Sequence, residues 1–253
     1  MLESLQNHPF PVEAFFKSSV VLTYAVPKEQ LEHFIPECLS LDTFEDKWAF
    51  IAVAMVETSG LRPKGFPKIL GNDFFLTGYR IFVRYTNSSG KRLRGLYILQ
   101  SETDKSKMVF FGNLFTHYHY RKIDITKHKT NLLTGYSSEK SNFKVTFQQN
   151  NEVANLPDKS PFNNWKEARR YAGPLPFTFT YNEGKNEVLI IEGVREKWKP
   201  EPIEVTEHHF SFINKMNLND CVLANAFKID AIPYVWKKGK TDLWKPLENL
   251  IRE

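Results

Sequence analysis

The sequence predicts an α+β chain that is mainly antiparallel β: a large sheet curling toward a barrel, with a few short helices at its periphery. Three observations carry this expectation. Aromatic residues make up 14% of the 253 residues, with 21 Phe, 10 Tyr and 5 Trp, and large aromatics beside β-branched residues suit pleated, half-buried surfaces. About ten segments show strand-like patterning against four or five short helical ones, and strands nowhere alternate with long helices as a parallel α/β sheet requires. No linker, low-complexity tract or fixed-period repeat divides the chain, so residues 1–253 read as one domain. A sheet of this size curls or closes to protect its edges, often around a cavity.

The elements follow in order. Lys17 to Val26 is rich in β-branched residues and stops at Pro27, which suits the first position of a helix. Pro27 to Ile35 then places Leu31, Phe34 and Ile35 on one side. Leu39 to Phe44 and Trp48 to Thr58 read as strands around the polar turn Glu45-Asp46-Lys47. Arg62 to Gly71, with two Pro and two Gly, reads as a loop that could cover something. Asp73 to Thr86 is the longest strand candidate, joined through Asn87-Ser88-Ser89-Gly90 to Leu93 to Ser101 as a hairpin. Thr103-Asp104 can cap a short helix through Phe111, after which Thr116 to Thr126 returns to alternation. Five more strands are expected at Asn131 to Ser137, Asn142 to Gln148, Phe177 to Tyr181, Glu187 to Val194 and Val205 to Phe212. Pro161 to Tyr171 reads as a compact helix and Asp242 to Arg252 as a terminal one.

Composition excludes several classes. A 29.5 kDa chain buries roughly 73% of its unfolded surface, so a core forms without disulfides or metal. The hydrophobic and charged fractions, 42% and 25%, are ordinary globular values. The net charge of +5 permits non-specific attraction to anions without naming a partner. The densest basic runs, Lys91 to Arg94, Lys127 to Lys129 and Lys237 to Lys240, lie beside turn residues and read as solvated loops. No nucleic-acid-binding pattern accompanies them, so no nucleic acid partner is expected. Cys38 and Cys221 form neither a disulfide framework nor a C-x-x-C pair, which points to a reducing cytoplasm. Met1 to Lys17 lacks the basic start and apolar stretch of a secretion signal. The longest apolar run, Trp48 to Val56, is short of the ~20 residues of a spanning helix, so no membrane partner is expected.

His117 and His119 are the clearest local signal, because residues two apart on a strand share a face. They could hold a metal with His208 or His209, although Arg121, next on that face, repels one. Structural histidines and a polar ligand or proton-transfer role are the other readings. Arg80 and Arg84 share a face opposite Tyr79, Ile81, Val83 and Tyr85. Lining the interior of a curled sheet, their guanidinium forks would suit a carboxylate or phosphate; on a solvated face they would only cover apolar surface. Arg94 and Glu102 are expected on one face with Gln100, in a network with Arg80 or as a plain ion pair. A desolvated Glu102 could also serve as general acid or base. Nucleotide-binding, hydrolase-elbow and zincin motifs are absent from the sequence.

The run TGYRIFVRYTNSSGKRLRGLYILQSETD, followed by MVFFGNLFTHYHYRK and preceded by YAVPKEQLEHFIPECLSLDTFEDKWAFIAVAMV, resembles the YqjF-like proteins, the family called domain of unknown function 2071, in the acetoacetate decarboxylase-like superfamily. Weaker echoes follow in ARRY, at Trp198-Lys199-Pro200 and near Ala231-Ile232-Pro233. The resemblance implies a cone-like antiparallel β-barrel. Characterised decarboxylase relatives use a Schiff-base lysine activated by a neighbouring lysine; the matching positions here are Tyr120 and Arg121, with Lys122 one place off. Leu76 stands near the place of a glutamate common in YqjF-like sequences. The resemblance therefore implies a pocket for a small organic acid or carbonyl compound without the Schiff-base lysine. Arg80, Arg94, Glu102, His117, His119 and Arg121 are the expected ligand-binding residues, and Tyr79, Phe82, Tyr97, Phe115, Tyr118 and Tyr120 the aromatic walls. Neither a cofactor nor a bound metal is expected, and a homo-oligomer is left open. A non-catalytic small-molecule-binding or assembly protein on the same barrel is the alternative.

Overall fold

The computed structural model describes residues 5–148, 155–196 and 198–245. Its strands are β1 Val12–Pro27, β2 Ser40–Leu41, β3 Trp48–Pro63, β4 Asn72–Thr86, β5 Arg92–Thr103, β6 Tyr120–Lys122, β7 Thr126–Lys129, β8 Leu133–Ser138 and β9 Phe143–Gln148. They continue as β10 Phe177–Asn182, β11 Glu187–Arg195, β12 Glu201–Pro202, β13 Glu204–Phe210, β14 Val222–Trp236 and β15 Lys240–Leu243. Short α-helices lying wholly among the described residues accompany them: α1 Ser106–Phe115, α2 Trp165–Ala168 and α3 Ser211–Asn214.

Strands β14, β1, β3, β4, β5, β10 and β11 pair in that order, and β11 pairs back to β14, so seven strands form a closed ring. All ring pairs are antiparallel except β5 with β10. That parallel pair is tight: a Cβ on Gly95 would lie 2.4 Å from the Phe177 carbonyl oxygen, so only glycine admits this approach. A second sheet, β13-β9-β8-β7, packs on the outside of the ring.

Alternation divides each ring strand between two cores. On β1, Val20, Leu22, Tyr24 and Val26 pack outward with Phe143, Val145 and Phe210 of the second sheet. Val21 and Ala25 point into the ring with Ala52, Ala54 and Phe82. Rings from the α2 region fill part of this interior: Phe50 meets Tyr171 at 4.1 Å and Phe162 at 5.5 Å between centroids.

The hairpin β4–β5 matches its expected span and carries a bulge the pattern does not announce. Tyr79 pairs with Gln100 but Arg80 pairs with Ile98, leaving Leu99 as an extra residue. An extra residue reverses the alternation beyond it.

Other expectations change in detail. Pro27 to Ile35 forms two 3₁₀ turns, Lys28–Gln30 and Glu32–Phe34, with Leu31 buried between them, in place of one α-helix. The segment Leu39 to Phe44 keeps only the two residues of β2, plus a bridge between Phe44 and Trp48. Asp104 does not cap α1; its carboxylate accepts a hydrogen bond from the Phe75 amide at 2.8 Å, and the helix begins after Lys105. The stretch Thr116 to Thr126 is not one strand, because α1 runs to Phe115 and His119 adopts the left-handed conformation at φ 54°, leaving β6 to start at Tyr120. The expected terminal helix begins in β15, and its residues 246–253 lie outside the described residues.

Candidate functional site

The ring encloses a cavity of about 440 Å³. Six of its strands contribute wall residues, represented by Val21, Ala54, Arg80, Ile98, Thr178 and Tyr234. Burial grades along it. Ile98 and Tyr234 are buried, whereas Phe66 and Leu70 on the loop after β3 are 53% and 54% exposed and Phe111 on α1 is 39% exposed, which marks the open end. The loop from Arg62 to Gly71, expected to cover something, borders this mouth.

Among the described wall residues, Arg80 is the charged group at the inner end of the cavity. Its Nε is buried without a hydrogen-bond partner, and among the described residues no carboxylate pairs with the guanidinium. Burial disfavours its charge, while the nearby Tyr234, Tyr120 and Tyr118 phenols favour it; a guanidinium nevertheless stays protonated in a protein. Gly78 makes room for it, because a Cβ there would lie 2.9 Å from Arg80 Nη2.

Three tyrosines surround this arginine. The Tyr118 hydroxyl lies 2.7 Å from Thr178 Oγ1, and burial pushes its phenol up to about 12. Asn113 clamps Tyr120 from α1, donating to its carbonyl at 3.0 Å and accepting from its amide at 2.8 Å. Glycine at 112 lets that ring seat, since a Cβ would come within 2.3 Å of it. Tyr234 is hydrogen-bonded to Arg195, whose guanidinium stacks on Trp198 at 4.7 Å. His8 also lines the cavity, with Nε2 unpartnered; burial pushes its pKa down to about 4, so its imidazole is neutral near pH 7.

The other expected site residues do not join Arg80. Arg94 and Arg84 both turn to Asp42, whose carboxyl is fully buried. Glu102 lies in the core between ring and second sheet, because the bulge at Leu99 moves Gln100 and Glu102 to the face opposite Arg80. There it accepts hydrogen bonds from Gln100 Nε2 at 2.8 Å and Ser141 Oγ at 2.7 Å, with Tyr79 at 3.4 Å. His117 sits in a separate depression, 3.2 Å from Asn7 Oδ1, and His119 and Arg121 are exposed. His117 and His119 thus share no strand face. Among the described residues, no three His, Cys, Asp or Glu side chains group as a metal site. Of the expected aromatic walls, Phe115, Tyr118 and Tyr120 line the cavity, while Tyr79 packs in the outer core. His8 and Tyr234 were not anticipated; they come from the two ends of the chain, and no local pattern links them.

Burial raises the Glu102 pKa, outweighing its hydrogen bonds and the Arg121 charge. A carboxyl raised above its unfolded value contributes stability below the unfolded pKa that is lost as pH rises through the folded one. Glu102→Gln should therefore gain stability relative to the parent as pH goes from 4 to 7.5. Urea midpoints at the two pH values test this, and equal differences at both would show that Glu102 pays no cost for ionising.

Where the resemblance places imine-forming lysines, Tyr120 faces the cavity and Arg121 and Lys122 are exposed. Lys107 is the lysine among the described wall residues, and it is exposed at the mouth. No described helix is long and apolar enough to cross a membrane.

Solved structures share this architecture at low identity. Acetoacetate decarboxylase from Legionella pneumophila superposes with a TM-score of 0.59 at 12% identity, over 92% of this chain and 87% of that one. An acetoacetate decarboxylase-like enzyme from Sphingomonas wittichii RW1 gives 0.57 at 9%, over 92% of both chains. The enduracididine biosynthesis enzyme MppR, complexed with pyruvate, gives 0.56 at 9%, over 92% and 90%. These likenesses establish the acetoacetate decarboxylase-like fold. Among curated proteins none matches the chain significantly. The family profile described as an uncharacterized conserved protein, domain of unknown function 2071, matches residues 14–229, and the chain belongs to that family.

Proposed function

We propose that the ring cavity binds a small organic acid or carbonyl compound through Arg80, without a Schiff-base lysine. One observation carries this reading: a guanidinium with no carboxylate partner stands inside an apolar cavity. Burying an unpaired charge is expensive, and an incoming anion relieves that cost. Guanidinium donors and the neighbouring phenols suit a carboxylate. A neutral His8 and the phenols of Tyr118, Tyr120 and Tyr234 supply further donors and acceptors for a carbonyl oxygen. The structural neighbours support the assignment of the cavity, since one of them is complexed with pyruvate, a small carboxylate.

An imine-forming lysine acts as a nucleophile when it is desolvated or placed beside another cation. Lys107, at the mouth, is solvent-exposed. Borohydride added with acetoacetate should leave the protein mass unchanged, and native mass spectrometry of freshly purified protein should show a small anionic ligand released on denaturation. A stable adduct on any lysine would overturn the exclusion of imine chemistry. A ligand-free protein that also fails to bind any organic acid would overturn the cavity assignment.

The non-catalytic reading has its own supporting observation: among the described residues, no Asp or Glu lines the cavity. Binding needs only Arg80 and the walls, whereas acid–base chemistry would have to run through His8 or a tyrosine.

A further inference from the structure

The size and wall chemistry of the cavity narrow the ligand further than the arginine does. A water takes about 30 Å³ of liquid volume, so the 440 Å³ of this cavity equals on the order of fifteen waters, or an organic molecule of roughly fifteen heavy atoms at protein packing density. Acetoacetate and pyruvate, with about seven and six heavy atoms, would leave half of that space empty or wet. Apolar side chains predominate in the walls. Away from Arg80 they include Val21, Ala54, Val56, Leu96, Ile98 and Leu175, interrupted by Ser19, Thr58, Ser101 and Thr178, and the apolar stretches take apolar guests.

Charge is distributed unevenly along the cavity. Arg80 is in the interior; at the mouth, Arg62 is paired with Glu13 at 2.6 Å and Lys107 is exposed. Phe66 and Leu70 after β3 and Phe111 on α1 border the mouth beside Lys107, and their sequence neighbours Ile69 and Phe110 are exposed as well, Ile69 to 90%. A dicarboxylate or a sugar acid would place its second polar end against this surface. An aliphatic tail would not.

Resting on the reading of Arg80 as the anion anchor, we infer that the ligand is an amphiphilic monocarboxylate: an unbranched or lightly branched aliphatic acid of roughly eight to twelve carbons. Its carboxylate sits on Arg80 among Tyr118, Tyr120 and Tyr234, and its tail runs along the apolar walls to the Phe66 and Phe111 rim. Ligand exit exposes the tail to water, so affinity is set mainly by tail length and orientation by the arginine.

A chain-length series tests this. The probes are butyrate, hexanoate, octanoate, decanoate and dodecanoate below their micellar concentrations, with acetoacetate and 1-decanol as references. Trp236 lines the cavity, so its fluorescence reports binding alongside calorimetry. Affinity should rise about fourfold per methylene, the value for burying one CH₂, level off near ten to twelve carbons, and exceed that of 1-decanol at equal length. Arg80→Gln should bring decanoate down to the level of 1-decanol. Val56→Phe, at a wall position paired with Leu76 rather than with the Gly78 that lies under Arg80, should shift the optimum toward shorter acids, with circular dichroism confirming that it folds. Acetoacetate or butyrate binding as tightly as decanoate, in an Arg80-dependent way, would overturn the inference and leave the anion site standing. No binding of any acid by the folded parent protein would overturn the anion site as well.

Discussion

Asp42→Ala should lower the unfolding midpoint by roughly 10 °C, the largest loss expected from any one polar side chain in this fold. Its carboxyl group is fully buried, and both oxygens are used. Oδ1 accepts from Arg84 Nε and Nη2, each at 2.6 Å, and Oδ2 accepts from Arg94 Nε. Position is set by the backbone: the Asp42 amide donates to the Phe82 carbonyl at 2.9 Å, which ties this residue to β4 just past the short β2. Arg94 in turn lies over the Tyr171 ring at 4.9 Å, and the Tyr171 hydroxyl donates to the Thr43 carbonyl at 2.8 Å. The carboxylate therefore neutralises two cations and fastens the plug that fills one part of the ring. Removing one partner of a buried charge cluster costs roughly 3–5 kcal/mol, because the remaining charges stay in place without compensation. The two arginine side chains are 25% and 29% exposed, so the low end applies, about 3 kcal/mol. At about 2–4 °C per kcal/mol for a chain near this size, that gives the stated shift. Asp42→Ala combined with Arg84→Met should recover part of the loss, since one stranded cation is gone. A fall of under about 1 kcal/mol in the single variant would place the cluster among ordinary surface pairs and remove this argument.

How far the sequence discloses this molecule depends on the range over which its signals act. The hairpin β4–β5 and the start of β3 are long, continuously patterned and bounded by polar turns, and they are found close to their expected limits, whereas β3 runs five residues past the expected Thr58, to Pro63. Ring closure rests on pairings between residues as distant as Val194 and Val235, or Gly95 and Phe177, and nothing local records them. Site residues divide in the same way. Arg80 is legible because alternation through GYRIFVRY is unbroken and sets it opposite Tyr79 and Ile81. Glu102 is misplaced by counting, because one extra residue at Leu99 reverses every face after it, and a bulge leaves no mark in a run as regular as LYILQSE. His117 and His119 mislead for another reason. The alternation in THYHYR is genuine in the letters, yet α1 extends through Phe115 and His119 takes a positive φ, so only the residues from Tyr120 onward are strand. Arg94 needed knowledge of Asp42, an acid fifty-two positions away that the turn around β2 brings inside. His8 illustrates the limit: its place in the cavity depends on backbone bonds to Phe115 and Gly239, more than a hundred residues away in each case.

Arg80→Met should change stability in opposite directions with and without ligand, and that crossing separates a ligand anchor from a structural residue. In the free protein the guanidinium is enclosed, has no carboxylate partner and leaves Nε unsatisfied. Methionine has a comparable stem and no charge, so the substitution removes a desolvation cost while keeping contact with the walls. Because the group faces a cavity that opens to solvent at one end, part of that cost is already relieved by water. The gain should be about 1–2 kcal/mol, or roughly 3–6 °C in midpoint. With a carboxylate bound, the sign reverses. A ligand at a hundred times its dissociation constant stabilises the parent by about 2.7 kcal/mol, whereas losing a buried, charge-assisted anchor weakens binding by about 2–5 kcal/mol and leaves the variant almost unresponsive at the same concentration. The variant should thus melt above the parent in buffer and below it in saturating decanoate or acetoacetate, whichever binds. Parallel melting curves, with the variant lower in both conditions, would mean that Arg80 holds the ring together through contacts made in the free protein. Among the described residues no acid stands beside Arg80, and that argues for the crossing: a structural arginine at this depth would be expected to have one, as Arg84 and Arg94 have Asp42.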